Sequence, residues 1–154
     1  MITSPAKIVF ELPHVSKKHV EQGAWKTVAA ALIDGDITQY YSWFIYKRFG
    51  LKLIQPLRRG HVTFLSDASD QIKHLDIVKE KWHNQIIEIQ IDLSPRTDKK
   101  YFYLRAFSNQ LNEIRTSLGL GKPFYDFHVT LGYTFDTNLS SYILEVLKNE
   151  EVYM

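Results

Sequence analysis

The segment Phe127-His128-Val129-Thr130-Leu131-Gly132-Tyr133 has a close counterpart earlier in the chain, Gly60-His61-Val62-Thr63-Phe64-Leu65. Both segments are short apolar runs rich in β-branched and aromatic residues, a composition typical of β-strands. Side chains alternate between the two faces of a strand, so each histidine shares a face with the threonine two positions later, about 6–7 Å away. The apolar residues between and after them face the opposite way, toward a core. We therefore predict two strands that each present an imidazole and a hydroxyl on one face.

Two such faces carry the groups needed to cleave a phosphodiester. An unperturbed imidazole titrates near pH 6.5, so one imidazole can remove a proton from the attacking oxygen while the other protonates the leaving oxygen. Threonine hydroxyls can donate to non-bridging phosphate oxygens and stabilise the charge that develops there. A single such histidine is more often a half-buried strand residue bonded to a neighbour, but the repeated tripeptide favours catalysis. We assign His61 and His128 as general acid and base, in an order left open, and Thr63 and Thr130 as phosphate-positioning residues.

Neither segment contains the carboxylate or third ligand that a catalytic zinc site usually requires. The chain also has no cysteine, which excludes disulfides and thiolate metal sites. We therefore expect chemistry without a metal or another cofactor.

Paired His-x-Thr motifs, one in each half of a small chain, resemble the hallmark of the two-histidine (2H) phosphoesterase superfamily. The residues before the second motif, from Pro123 to Phe127, are similar in setting, although Phe127 stands where family members often have proline. The resemblance rests on four residues. It implies a bilobal α+β fold in which two pseudo-twofold-related lobes of mainly antiparallel sheet carry outer helices, with the active site in the cleft between the lobes.

Within that superfamily the length and divergent flanks look most like the small phage anti-CBASS nucleases, which destroy cyclic oligonucleotide alarm signals. The resemblance implies a metal-independent phosphodiesterase that hydrolyses 3′–5′ linked cyclic di- or trinucleotides such as cyclic GMP–AMP. It also implies that the adjacent ribose 2′-hydroxyl attacks the phosphorus, giving first a 2′,3′-cyclic phosphate and then a linear 3′-phosphate. Base preference, linkage and oligomeric state are not decided by the residues.

Further substrate contacts are predicted from nearness to the motifs or expected exposure. Arg59 precedes the first motif strand, and Lys122 and Tyr125 precede the second. Trp82 is expected in a loop, where an exposed ring could stack on a base. A solvated strand entrance is the more frequent role of an arginine in this position. A tryptophan that anchors a loop is as common as one that stacks on a base.

Composition suggests one domain, residues 1–154, with enough apolar sequence (45%) for a core. The net charge of +2 does not require a large polyanion, so we expect a small nucleotide ligand rather than a long nucleic acid. The first five residues lack the pattern of a secretory signal, and no apolar run approaches the roughly 20 residues of a membrane span. We expect a cytoplasmic protein, in the host cytoplasm if the chain is phage-encoded, with no membrane or obligatory protein partner.

Hydrophobic periodicity and turn residues predict the remaining elements. The first half is expected to contain a loose tail (1–6), a strand (7–12), a helix (25–32) stopped by Asp34-Gly35, an aromatic-rich segment (39–49) stopped by Gly50, and a short strand (51–54). A helix is favoured for 39–49, but its periodicity also allows a strand. The second half is expected to contain a short helix (72–78), a strand pair (85–93 and 101–107), a helix capped by Ser108 and ended by Gly119, and a C-terminal helix around 142–147. The aromatic cluster of 39–49 is interpreted as core packing in preference to a base-stacking platform.

Two other functions compete with this hypothesis. A 2′,3′-cyclic phosphodiesterase or ligase acting on RNA termini would prefer a chain and depend strongly on salt. A binding protein would sequester a cyclic nucleotide in the same cleft without turnover, and the ligand would be recovered unchanged.

Overall fold

An antiparallel sheet with helices packed on one face forms the part of the chain that the structure describes. The structure is a computed structural model, and it describes residues 1–10, 28–56, 60–66, 72–123 and 125–152. Within these ranges the elements are, in order, β1 (Ile2–Val9), β2 (Val28–Leu32), α1 (Asp36–Phe49), β3 (His61–Ser66), α2 (Leu75–Trp82), β4 (Ile86–Ile91), β5 (Arg96–Thr97), β6 (Tyr101–Phe107), α3 (Asn109–Ser117), β7 (His128–Tyr133) and α4 (Thr137–Val152).

The strand order brings the two ends of the sheet together. Neighbouring strands run β3-β2-β1-β4-β6, and β6 also pairs with β5 and, from Tyr101 to Arg105, with β7. Every pairing is antiparallel, so β3 and β7 run in opposite directions. Cα atoms of β3 and β7 approach within 8 Å of each other, and the sheet is therefore nearly closed, like a barrel.

One face of the sheet and the inner faces of the helices form the core. Alternate residues of each long strand are buried, for example Ile8 on β1, Ile89 on β4 and Leu104 on β6. The helices contribute Ile45, Leu111, Ile114 and Ile143 to the same cluster. Burying each such side chain is worth about 1.5–3 kcal/mol, so this layer fixes which face of each strand turns inward. The opposite face of the sheet, here called the open face, carries the exposed and half-buried side chains of the described strands.

The expected loose tail over residues 1–6 is wrong, because β1 begins at Ile2 and pairs with β4 from Ile2 to Lys7. Ser4, Ala6 and Ile8 are buried in alternation, which binds the N-terminal half to the core. Pro5 has no N–H to donate to a neighbouring strand. It is tolerated because β2 pairs with β1 only from Lys7 to Val9, so β2 requires no hydrogen bond from residue 5.

The helix expected over 25–32 is wrong for residues 28–32, which form β2 between β1 and β3. Alanine favours helices locally, but Ala29, Ala30 and Ala31 are fully buried here, where their small side chains fit between two sheet neighbours. Tertiary packing has overridden local propensity. Trp25 lies outside the described residues.

Most of the other predicted elements are confirmed. Helix α1 ends at Gly50, which adopts φ +75°, and Ser108 caps α3 by accepting a hydrogen bond from the Leu111 N–H at 3.1 Å. The strand predicted over 51–54 is reduced to a single bridge between Ile54 and Tyr133, and Trp82 is the last residue of α2 rather than part of a loop. The α+β class with a mainly antiparallel sheet is confirmed, whereas the two-lobed arrangement stays a prediction. Within the described ranges, no helix combines the length and the apolar character needed to cross a bilayer.

Candidate active site

The two His-Val-Thr segments have the alternation that their sequences predict. On β3, His61 is half-buried and Thr63 exposed, whereas Val62 and Phe64 are buried. On β7, His128 and Thr130 are half-buried, with Val129 and Leu131 buried between and after them. Each strand therefore presents its histidine and threonine on the face away from the core.

Both strands also carry a β-bulge at the same position. Thr63 pairs with Ala30 and Leu65 with Ala29, so Phe64 is the extra residue of β3. Thr130 pairs with Tyr103 and Gly132 with Phe102, so Leu131 is the extra residue of β7. A bulge bends its strand and re-aims nearby side chains. Here it follows the motif threonine in both strands, so the two segments match in backbone shape as well as sequence.

Each bulge takes one backbone carbonyl out of the hydrogen bonding between strands. A side chain on a helix donates a hydrogen bond to that carbonyl. The Phe64 carbonyl accepts a hydrogen bond from Nη1 of Arg115 on α3 at 2.8 Å, and the Leu131 carbonyl accepts one from Oγ of Ser42 on α1 at 2.9 Å. Arg115 is 4% exposed and also donates from Nε to the Gly121 carbonyl at 3.0 Å, in the loop before β7. Both bulges are thus held from the core side by buried hydrogen bonds.

Glycine is required next to each motif. Gly60 adopts φ +62°, and a Cβ there would lie 2.7 Å from the Ile33 carbonyl oxygen. At Gly132 a Cβ would lie 2.7 Å from Leu53 Cβ and 2.8 Å from the Ile54 oxygen, because residues 53–54 run against the outer edge of β7. The close approach at Gly60 sets the start of β3, and the one at Gly132 sets how residues 53–54 pack against β7.

A cavity of about 710 Å³ opens beside β7 on the open face. The described residues that line it are Asp98, Tyr101, Tyr103, Arg105, Tyr125, Asp126, Phe127, His128 and Thr130. Its size falls in the range of about 300–1,000 Å³ typical of small-molecule sites. The wall combines four aromatic rings, three of them phenols, with one imidazole, one threonine hydroxyl, one guanidinium and two carboxyl groups, which suits a ligand with flat rings and polar substituents.

The His128 ring is held by the backbone that precedes it. Its Nδ1 lies 2.9 Å from the Asp126 carbonyl oxygen, which can only accept, so Nδ1 carries the hydrogen. In the neutral ring, Nε2 is then left with its lone pair. The Tyr103 ring packs edge-on at 5.7 Å on the neighbouring strand and limits the rotation of the imidazole. This arrangement suits an acid–base group that works through Nε2.

Arg105 lies directly opposite His128 in the β6–β7 register and brings positive charge to the cavity wall. Its Nη2 donates to Oδ2 of Asp92 at 2.7 Å, and Oδ1 of Asp92 accepts from the Ser94 N–H at 3.0 Å. Burial alone would raise the pKa of Asp92, but the hydrogen bonds from Arg105 and Ser94 and the charges of Arg105 and Arg96 outweigh it and lower that pKa below its usual value. Asp92 therefore stays ionised and anchors the guanidinium.

The structure brings together only some of the predicted site residues. His128, Thr130 and the largely exposed Tyr125 share the cavity wall. His61 and Thr63 lie outside its described lining, on the open face of β3, the strand that approaches β7.

The remaining predicted contacts lie elsewhere. Lys122 is exposed on the loop after α3, outside the described lining of the cavity. Trp82 packs partly buried against the core at the end of α2, with Nζ of Lys81 5.4 Å from its ring centroid. Arg59 lies outside the described residues. Neither Lys122 nor Trp82 is placed against the cavity by the fold.

Sequence reasoning did not find Tyr101, Tyr103 and Arg105, which line the cavity from β6. A signal was available, because the predicted strand 101–107 alternates these polar-tipped residues with buried Phe102, Leu104 and Ala106. What the sequence could not supply is the pairing of β6 with β7, which sets Tyr103 beside Thr130 and Arg105 beside His128.

Comparisons with protein-family models, with curated proteins and with solved structures found no match for this chain. Among the residues that the structure describes, no three His, Asp or Glu side chains form a cluster suited to a metal ion.

Proposed function

We propose that this protein is a two-histidine phosphodiesterase that opens 3′–5′ linked cyclic di- or trinucleotides. The observation that carries the proposal is the matched pair of bulged strands, which adjoin and each present a histidine and a threonine on the open face. Two imidazoles and two hydroxyls on adjoining strands are the groups that general acid–base cleavage of a phosphodiester needs.

His128 is prepared for proton transfer, because the hydrogen bond between Nδ1 and the Asp126 carbonyl leaves Nε2 of the neutral ring with its lone pair. In the proposed first step, one histidine removes the proton from the ribose 2′-hydroxyl, whose oxygen bonds to the adjacent phosphorus. The bond from phosphorus to the 5′ oxygen breaks, and the other histidine protonates that oxygen. In the second step water opens the 2′,3′-cyclic phosphate, the histidines exchange roles, and a linear 3′-phosphate remains.

Electrostatic support would come from three groups. The hydroxyls of Thr63 and Thr130 donate to the non-bridging phosphate oxygens. Arg105, held by Asp92 and facing His128 across the strand pair, supplies a positive charge to the same phosphate. Tyr103 and Tyr125 offer rings to the bases, as aromatic side chains commonly do in nucleotide sites.

As a biological role we propose that the protein destroys the cyclic nucleotide signal of a CBASS antiphage system in the cytoplasm of the infected cell. This role follows from the resemblance of the paired motifs to anti-CBASS nucleases. It needs a small nucleotide substrate, for which a cavity of about 710 Å³ is adequate.

The test is incubation of purified protein with 3′,3′-cyclic GMP–AMP in excess EDTA, followed by chromatography of the products. We expect linear product from the wild type and about a 10²–10⁴-fold slower reaction for His61→Ala and for His128→Ala, the range typical of general acid–base groups. A 2′-deoxy analogue should stay intact, since it lacks the attacking hydroxyl. Cleavage of that analogue, or unchanged activity in either histidine variant, would overturn the mechanism.

A further inference from the structure

A row of aromatic rings leads away from His128 along the open face of β6 and β7. The Tyr103 ring lies 5.7 Å from the His128 ring, and Tyr101 follows two positions earlier on the same face of β6. The Tyr101 and Tyr133 ring centroids are 5.9 Å apart, and those of Tyr133 and Phe135 are 5.8 Å apart. The aromatic row, defined as Tyr103, Tyr101, Tyr133 and Phe135, therefore runs from the cavity to a point beyond the end of β7.

The outer rings are more exposed than sheet packing requires. Phe135 is 72% exposed and Tyr101 42% exposed. A cross-strand aromatic pair such as Tyr101 and Tyr133 stabilises a sheet by itself. Phe135, however, follows β7 and buries little of its surface, so the fold gains little from it. A row of half-buried and exposed rings that begins in a cavity and continues over the surface is more typical of a binding surface.

Positive charges accompany the row at both ends. Nζ of Lys100 lies 5.4 Å from the Tyr101 centroid and 6.0 Å from the Phe135 centroid, and Arg105 lines the cavity at the inner end. Aromatic faces interleaved with cations are the chemistry by which proteins bind single-stranded nucleic acid, because every base can stack and the charges follow the phosphates.

We propose that the aromatic row binds successive bases of a short, linear single-stranded oligonucleotide that extends from the nucleotide at His128 toward Phe135. A linear strand suits a row that leaves the cavity and continues over the surface. The inference rests on the proposed function only in placing the first nucleotide at His128, because binding along the row requires no bond to break. The linear product of ring opening is one strand of this kind.

The test is titration calorimetry with oligodeoxyadenylates of one to four nucleotides, which lack the 2′-hydroxyl that the proposed reaction needs. We expect affinity to rise from the mononucleotide to the longer strands. Phe135→Ala should weaken binding of the tetranucleotide by roughly 5- to 100-fold, the effect of losing one base-stacking contact, and leave mononucleotide binding unchanged. Phe135→Tyr, which keeps a ring, should restore most of the affinity.

Tyr142→Ala is the matched control, since Tyr142 is an exposed aromatic residue (62%) on α4 and not part of the row. It should bind every length as the wild type does. Wild-type affinity for the tetranucleotide in Phe135→Ala, or no gain with length in the wild type, would overturn the proposal. If affinity rises with oligonucleotide length but the protein leaves cyclic GMP–AMP intact, the proposed function alone is overturned. If the protein hydrolyses cyclic GMP–AMP but affinity does not rise with length, binding along the aromatic row alone is overturned.

Discussion

The cavity wall is organised around short polar contacts that individual residues make with their chain neighbours and strand partners. His128 is oriented by the Asp126 carbonyl two positions earlier, and Arg105 is oriented by Asp92 on the segment that follows β4. Each contact restricts the rotation of a polar side-chain group. If the proposed phosphate binds between them, a fixed imidazole and a fixed guanidinium would lower the entropic cost of that binding.

The Asp92–Arg105 pair makes a testable contribution to stability at low pH. Because the folded protein lowers the pKa of Asp92, the unfolded chain binds more protons, and stability rises with pH through that window. The contribution is complete above the unfolded pKa of about 3.9 and disappears as the pH falls through the lower folded value. We expect Asp92→Asn to reduce the free energy of unfolding at pH 7 by at most about 1 kcal/mol, since the pair is partly solvated (Arg105 35% and Asp92 18% exposed).

Urea unfolding at several pH values measures this effect. The difference between wild type and Asp92→Asn should be largest near neutral pH and shrink below pH 4. Asp76→Asn is a suitable control, because Asp76 is an exposed residue in the first turn of α2. A constant difference across the whole pH range would contradict the assigned role of Asp92.

At the scale of elements, the two bulges are held from the core in the same manner by different residues. Arg115 on α3 reaches the bulge of β3, and Ser42 on α1 reaches the bulge of β7. Arg115 also contacts the Gly121 carbonyl, so one buried guanidinium connects β3 to the loop that leads into β7. The helices thus determine the shape of the two strands as well as covering them.

Removing either helix contact should leave a buried carbonyl without its partner. We expect Ser42→Ala to lower the free energy of unfolding by about 1–3 kcal/mol, the usual cost of an unsatisfied buried polar group. Arg115→Met should cost at least as much, since it removes bonds to two carbonyls. Chemical denaturation followed by circular dichroism provides the measurement.

Ser117→Ala is the matched control for Ser42→Ala. The Ser117 hydroxyl donates to the Glu113 carbonyl on the exposed side of α3, so its loss should change stability by less than about 0.5 kcal/mol. If Ser42→Ala were as mild as Ser117→Ala, the Leu131 carbonyl would not depend on Ser42.

The elements that were predicted correctly are those whose signals are local. Helix α3 has a capping serine, an apolar stripe and a terminal glycine, and β4 alternates apolar and polar residues. Strand β2 and the first half of β1 have no such signal. Alanines in β2 and Pro5 in β1 are tolerated because of the strands beside them, and single-chain periodicity does not contain that information.

The same distinction explains what was found of the candidate site. His61, Thr63, His128 and Thr130 are marked by a repeated tripeptide, and their placement on open strand faces follows from alternation alone. Arg105 reaches the site only through its register with His128, and the bulges become visible only once β2 and β6 are known as partners. Long-range pairing decided these features.

At the scale of the whole molecule, near-closure of the sheet is what relates one motif to the other. The motifs are far apart in the chain, and the strands that carry them stand at opposite ends of the pairing path. With five antiparallel pairings between them, β3 and β7 meet in opposite directions with matching open faces. Two similar segments in this relation can act on opposite sides of one bound group.

This arrangement predicts that the two histidines act as a unit. If His61 and His128 serve one reaction, then His61→Ala/His128→Ala should lower kcat/KM for cyclic GMP–AMP by little more than the worse single variant, as strongly cooperating catalytic groups do. Separate sites, or separate structural effects, would make the two losses multiply. Single-turnover rates of the four proteins of this double-mutant cycle provide the measurement.

The cycle needs a third histidine that is outside both motifs. His74 is exposed at the N-terminal end of α2 with φ +59°, so His74→Asn preserves a residue that tolerates this conformation. His74→Asn by itself should leave the rate unchanged. Combined with His61→Ala or His128→Ala, it should cause no further loss of rate. The rate losses of His61→Ala and His128→Ala could instead multiply in the double variant, while circular dichroism shows that all variants are folded. The two histidines would then belong to separate sites, and the proximity of β3 and β7 would serve the fold alone. Near-equal single and double losses would instead tie the closed sheet directly to catalysis, since only closure brings the two strands together.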